Sequence, residues 1–258
     1  MLKYLTTGIA TLCCSMILMA QGVSWTEIKT AQQSPPDIQP KEYNIVSVDF
    51  EALKSQLSQA PTLTNTPVKN SGYSFEIPSP SGEMWTFMVA ESSIMAPGLQ
   101  AQYPEIRTFI GQGTGDYAHA SARFDYTLRG FHAQILISGQ TYYIDPYSTD
   151  HLNLYIVYTR EAFYANNTKS MGNCEPLSVG VVTEPSNNSQ IQVKQGSLGN
   201  ATGEPFPLAL ATNGSDLRTY RLALACTGEY ADFHGGTVPL VMSAMTTSMN
   251  RVNGVFIR

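Results

Sequence analysis

Four histidines, His119, His132, His151 and His234, are the first residues to ask about chemistry. Two imidazoles grip one metal from a single helix face when they stand four residues apart, with a glutamate after the first as general base. No register of this chain reads His-Glu-x-x-His. His132 falls in an alternating strand and reads as a packed or surface histidine; His234 falls in a turn. There is no Gly-x-Ser-x-Gly elbow, phosphate-binding loop or dinucleotide fingerprint. Gly111-Gln112-Gly113-Thr114-Gly115 is glycine-rich, but no helix of the required kind follows, so it reads as a loop closing a strand. Asp116, Asp125 and Asp145 suggest paired carboxylates, but aspartates at strand ends are usually turn formers, and a shared cation site is the lesser alternative.

Cysteine chemistry depends on compartment. Lys3, an apolar run over 5–19 and Ala20-Gln21-Gly22 make residues 1–22 a secretory signal peptide. The run is short for a membrane span, so the expectation is a secreted protein with no membrane anchor after cleavage. Cys13 and Cys14 then leave with the signal, and Cys174 and Cys226 remain where disulfides are permitted. They can pair with each other. Cys174 can instead be a free thiol, or a thiolate filling the fourth position of a neighbouring zinc site. Cys226 is a disulfide candidate, to Cys174 or to a cysteine outside these residues.

Those residues need elements to position them. Apolar residues make up 43% of the 258 residues, enough for a core. Charged residues are 14% and the net charge is −5, with no basic cluster, which argues against nucleic-acid partners. Residues 23–42 hold three prolines and read as a linker. Residues 44–48 alternate as a strand; Phe50, Leu53 and Leu57 stand at helical spacing. From 71 to 158 the period is two, with turns recurring at intervals typical of all-β domains and no intervening helices. The sheet is therefore expected to be largely antiparallel. Phe124 and Tyr126 take one face of a strand there, Asp125 and Thr127 the other. Helix and strand signals fade after Phe163. Residues 177–214 are a polar linker, and sequons at Asn166, Asn187, Asn200 and Asn213 mark exposed loop.

Residues 215–258 read as a strand buried on both faces, a short loop, a helix and the first residues of another strand. The helix carries an apolar stripe of Val238, Val241, Met242, Met245, Met249 and Val252, and Gly254 stops it. Such a unit cannot bury its apolar faces alone, so the chain reads as the front of a larger protein. The expected outcome is one well-packed β-domain over 43–158, with the last strand and helix docked loosely or carrying exposed apolar surface.

Two blocks carry a resemblance. Tyr103-Pro104-Glu105-Ile106-Arg107-Thr108-Phe109-Ile110-Gly111-Gln112-Gly113, with Ala122-Arg123-Phe124-Asp125-Tyr126-Thr127, Gly130-Phe131-His132-Ala133-Gln134-Ile135 and Tyr143-Ile144-Asp145-Pro146-Tyr147, resembles the propeptide of secreted bacterial reprolysin-like (metzincin) zinc metallopeptidases. Tyr220-Arg221-Leu222-Ala223-Leu224-Ala225-Cys226-Thr227-Gly228-Glu229-Tyr230, with Met249-Asn250-Arg251-Val252-Asn253-Gly254, is similar to the opening of their catalytic domain. The resemblance implies an α+β, mainly β chain: a β-rich antiparallel prodomain over 43–176, the linker, and an incomplete strand–helix unit of an α/β catalytic domain. It implies the N-terminal part of a zymogen, with zinc and peptide substrates belonging to the parent enzyme and the chain's own catalytic domain as partner. Cys174 would be the zinc-blocking thiol. No catalytic residue carries over, because no residue here matches the zinc-binding helix. The rival expectation is a secreted β-domain acting as a binding or inhibitor module without peptidase activity.

Overall fold

The computed structural model describes residues 23–29, 34–167 and 222–256. The signal peptide, Cys13, Cys14, Cys174, the 177–214 linker, residues 217–221 and the sequons beyond Asn166 lie outside them. The described parts of 23–167 and 227–256 form one compact unit. Its strands are β1 (Thr26–Glu27), β2 (Asn44–Ser47), β3 (Ser74–Pro78), β4 (Met84–Glu91), β5 (Arg107–Gly113), β6 (Ser121–Thr127), β7 (Gly130–Ile137), β8 (Gln140–Pro146) and β9 (Leu154–Thr159). Its helices are α1 (Phe50–Leu57), α2 (Pro97–Gln100), α3 (Arg160–Asn167), α4 (Gly228–Phe233) and α5 (Val238–Phe256).

The strands form one nine-stranded antiparallel sheet, ordered β1-β2-β9-β8-β7-β6-β5-β4-β3. From β3 to β9 it is a meander, as the alternating runs predict, although the β4–β5 connection holds the short helix α2 where no intervening helix was expected. The sheet curls. Trp25, just before β1, donates from Nε1 to the carbonyl of Glu76 on β3, 3.1 Å away, so the two ends of the strand order meet. Residues 23–42 are therefore more than a linker: β1 extends the sheet, and Trp25 packs on Phe131 and Tyr155.

The inner face holds the core. Phe124 packs edge-on to Phe75 and Phe87 and stacks with Phe131. Such ring pairs add stabilisation beyond their buried area. α1 fits against this face, with Leu53 and Leu57 fully enclosed. Asp49 caps α1, its Oδ1 accepting from the backbone N–H groups of Glu51 and Ala52 at 3.0 and 3.2 Å, which satisfies two donors the first turn leaves free.

The glycine-rich run is corrected by the structure. Gly111 and Gly113 lie inside β5, not in a loop. A Cβ on Gly111 would come within 2.6 Å of the Phe124 ring, so glycine here makes room for the central core ring.

The last segment differs most from expectation. Residues 222–227 hold no strand, and Leu222 is 66% exposed, so the two-faced buried strand is absent over these residues. Residues 222–226 belong to a second unit spanning 171–226, of which they are the described part. α5 runs through Gly254 to Phe256 instead of stopping at the glycine. Its buried face is Val241, Ser243, Ala244, Thr246, Thr247, Asn250 and Gly254. In the apolar stripe, Met242, Met245 and Met249 are half-buried, and Val238 and Val252 are exposed. α3 forms where the sequence signals fade. No described helix is long and apolar enough to cross a membrane.

Candidate functional site

β6 to β9 bury both faces. On the outer face a row runs across four strands in register, Arg123–Gln134–Tyr143–Tyr158, and Asp125 opposite His132 begins a second row. Alternation placed Asp125 and Thr127 away from the core; the structure nevertheless encloses Arg123, Asp125, Thr127, Gln134 and Asp145. α5 packs chiefly on β6, and it explains why a polar face is buried.

The contacts are directional. Thr247 Oγ1 donates to Asp125 Oδ1 at 2.6 Å, and Asn250 Nδ2 donates to the Phe124 carbonyl at 2.9 Å. The next residue, Arg251, donates from Nη2 to Asp145 Oδ1, and its guanidinium lies over the Tyr143 ring at 5.0 Å. Asp145 Oδ2 accepts from the Tyr158 hydroxyl at 2.7 Å. Gly254 ends the contact: a Cβ there would stand 2.7 Å from Gln134 Oε1 and 2.9 Å from Arg123 Cγ. At the other end Arg129, in the β6–β7 turn, donates from Nη1 to the His234 carbonyl between α4 and α5. Threonine, asparagine, arginine and glycine thus occur at the helical positions where the sheet offers a carboxylate, a carbonyl, a second carboxylate and no space.

Charge follows the geometry. Burial disfavours the Arg251 cation, but Asp145, Tyr158 and Asp125 outweigh it and hold the guanidinium above its usual pKa. The Tyr158 hydroxyl is pushed well up by burial and then by Asp145. Burial lowers Arg123. Burial and the Arg129 charge together lower His234.

Chemically this is a gripping surface. His132 Nδ1 lies 3.1 Å from Asp125 Oδ1, the same oxygen that Thr247 engages, and Nδ1 is 3.5 Å from the Thr247 hydroxyl. A nucleophile–base relay needs the imidazole between hydroxyl and carboxylate, one nitrogen for each. Here the hydroxyl proton is directed to the carboxylate, so the trio positions a helix.

Of the residues singled out in sequence, the structure gathers Asp125, His132 and Asp145 beneath α5. Asp116 lies apart in a single 3-10 turn at 115–117. His119 Nε2 meets Ser138 Oγ at an exposed hairpin turn, 2.9 Å apart. Cys226 is exposed and unpaired among the described residues. Among those residues no group of three or more His, Cys, Asp or Glu is placed to hold a metal ion. Gln134, Asn250 and Arg251 were missed as site residues. The available signal was the polar spacing Thr247–Asn250–Arg251–Gly254 on a helix whose apolar stripe drew attention elsewhere.

Comparison with protein-family models, with curated proteins and with solved structures gives no match to this chain.

Proposed function

We propose that this chain is a binding module, a β-domain whose outer sheet face grips a helix through polar side chains. The observation that carries this reading is the seat itself. Thr247 Oγ1, Asn250 Nδ2 and Arg251 Nη2 of α5 each donate to an acceptor on β6 or β8, over a face whose charged groups would otherwise face solvent. Buried polar groups persist when they are paired, and pairing them requires one helix in one register.

The test is to insert a specific protease site between residues 190 and 210 and cut the folded chain. The helix-bearing part should remain bound through size-exclusion chromatography. It should be released by an Asn250→Leu, Thr247→Val double substitution. Immediate separation of the unsubstituted parts would sink the reading.

A narrower form follows from one observation: the gripped helix belongs to the segment that resembles the opening of a metallopeptidase catalytic domain. In that form the β-domain is the prodomain of a secreted zinc metallopeptidase, holding part of the enzyme it keeps latent, and zinc and peptide substrates belong to the parent. Reading the coding sequence beyond codon 258 discriminates: a His-Glu-x-x-His within about one domain length supports it, and a stop codon removes it. The Cys174 thiol would block zinc only in this form; Cys174→Ala should then hasten activation of the whole protein, and unchanged latency counts against the role.

A further inference from the structure

We propose that Asn253 is a modification site guarded by the helix seat: once α5 leaves the sheet Asn253 deamidates, and the product cannot be seated again. The inference rests on the gripped-helix reading above. It starts from a demand at one position. Gly254 lies on the buried face of α5, where a Cβ would stand 2.7 Å from Gln134 Oε1 and 2.9 Å from Arg123 Cγ, so the seat requires glycine. That glycine completes an Asn-Gly pair with Asn253, which is half-buried at the border of the same face. Glycine leaves the amide nitrogen after the asparagine unshielded and its backbone free to turn. The residue that fits the seat is therefore the one that exposes Asn253 to its own backbone.

The reaction needs only water. The Gly254 nitrogen attacks Asn253 Cγ; the N–Cγ bond forms, the Cγ–Nδ2 bond breaks, and ammonia leaves as the Gly254 N–H proton passes to solvent. Water then opens the succinimide. Opening at the Asn253 backbone carbonyl leaves isoaspartate, with the chain running through the former side chain and one methylene longer. In the seated helix both requirements of ring closure are blocked. The Gly254 N–H donates along the helix to the carbonyl four residues back, and Asn253 holds helical ψ, which must rotate to bring that nitrogen onto Cγ. Helix ends fray, but here Gly254 is pinned against Gln134 and Arg123, so the last turn opens only when the helix lifts. After reaction the longer backbone breaks the helical hydrogen-bond ladder between Arg251 and Gly254. Arg251 at Asp145 and Gly254 against Gln134 can then no longer be placed together. Release of α5, reversible at first, becomes permanent.

The test ages the full chain in warm, mildly alkaline buffer. Peptide mapping measures isoaspartate at position 253, and hydrogen exchange of amides 243–250 reports the seat. In the unsubstituted chain the modification is expected at least about tenfold more slowly than in a synthetic peptide of residues 248–256, because it proceeds only through the opened helix. In the chain carrying Thr247→Val and Asn250→Leu it should approach the rate of the peptide. A second arm ages the unsubstituted chain in guanidinium chloride and then dilutes it. The isoaspartate fraction should keep 243–250 unprotected, while the unmodified fraction of the same sample regains protection. If the double variant also loses protection in β6 and β7, this second arm decides alone. Modification of the unsubstituted chain at the rate of the peptide, with 243–250 protected, overturns the guard and leaves the seat standing. So does an Asn253 that stays intact in a double variant whose 243–250 amides exchange rapidly. Recovered protection in the isoaspartate fraction overturns the irreversible step. Rapid exchange of 243–250 in the unsubstituted, unmodified chain overturns the site and the helix seat together.

Discussion

At the scale of single residues the seat is a set of polar contacts whose loss is asymmetric. Asn250→Ala removes the donor to the Phe124 carbonyl and should cost about 1–3 kcal/mol, read as a lowered urea midpoint. Asp145→Asn leaves Arg251, whose side chain is 24% exposed, without its carboxylate. The expected loss is about 3 kcal/mol, the low end for breaking a buried pair. Replacing both, Asp145→Asn with Arg251→Met, should recover part of it, because no uncompensated charge remains. A double variant no better than the single one would show that the pair is not the cause. Gly254→Leu should cost about 1–3 kcal/mol by overpacking against Gln134 and Arg123, despite leucine's better helix propensity. Tyr158 and Tyr155 are both pushed up by burial, Tyr158 further by Asp145. The folded state therefore binds these protons more tightly than the unfolded chain. Their contribution is complete below about pH 10, where an unfolded tyrosine titrates, and erodes as pH rises above it. Tyr158→Phe should flatten the alkaline decline in stability.

At the scale of elements, much of the fold was legible. α1 matches the spacing of Phe50, Leu53 and Leu57, and the strands from β3 to β9 fall on the alternating runs, because period and turn chemistry are local properties. α5 was legible as a helix but not by its buried face. The Val and Met stripe is the more hydrophobic side, yet the sheet offers Asp125, Asp145 and the Phe124 carbonyl, which small polar residues match. Hydrophobic periodicity cannot register a polar receptor. Amides of 243–250 should consequently exchange almost as slowly as those of β6 and β7, and those of 222–227 rapidly. Equal, rapid exchange in 243–250 and 222–227 would contradict the packing seen here. This is a change from the loose docking that the sequence suggested; the exposed apolar surface it suggested is present, at Phe233, Val252, Val255 and Phe256.

At the scale of the whole molecule, the chain brings residues from both of its ends to one curled sheet, Trp25 on the inside and α5 on the outside. The chain alone should show no chelator-sensitive hydrolysis of casein, and measurable hydrolysis would remove the binding-module reading. What the sequence by itself determined is the mainly β, antiparallel character, because alternation and turn residues act over a few positions. It also determined the position of α1 and the absence of a His-Glu-x-x-His motif in these 258 residues. Only the tertiary structure decided that Asp125, His132, Asp145, Gln134 and Arg251 come together beneath one helix, that Gly254 continues that helix, and that Gln134 Oε1 lies enclosed against Gly254 with no donor among the described residues. Those facts depend on which strands pair and where a helix more than 100 residues away comes to rest. Such contacts are set by complementarity across the whole fold, which no local spacing encodes.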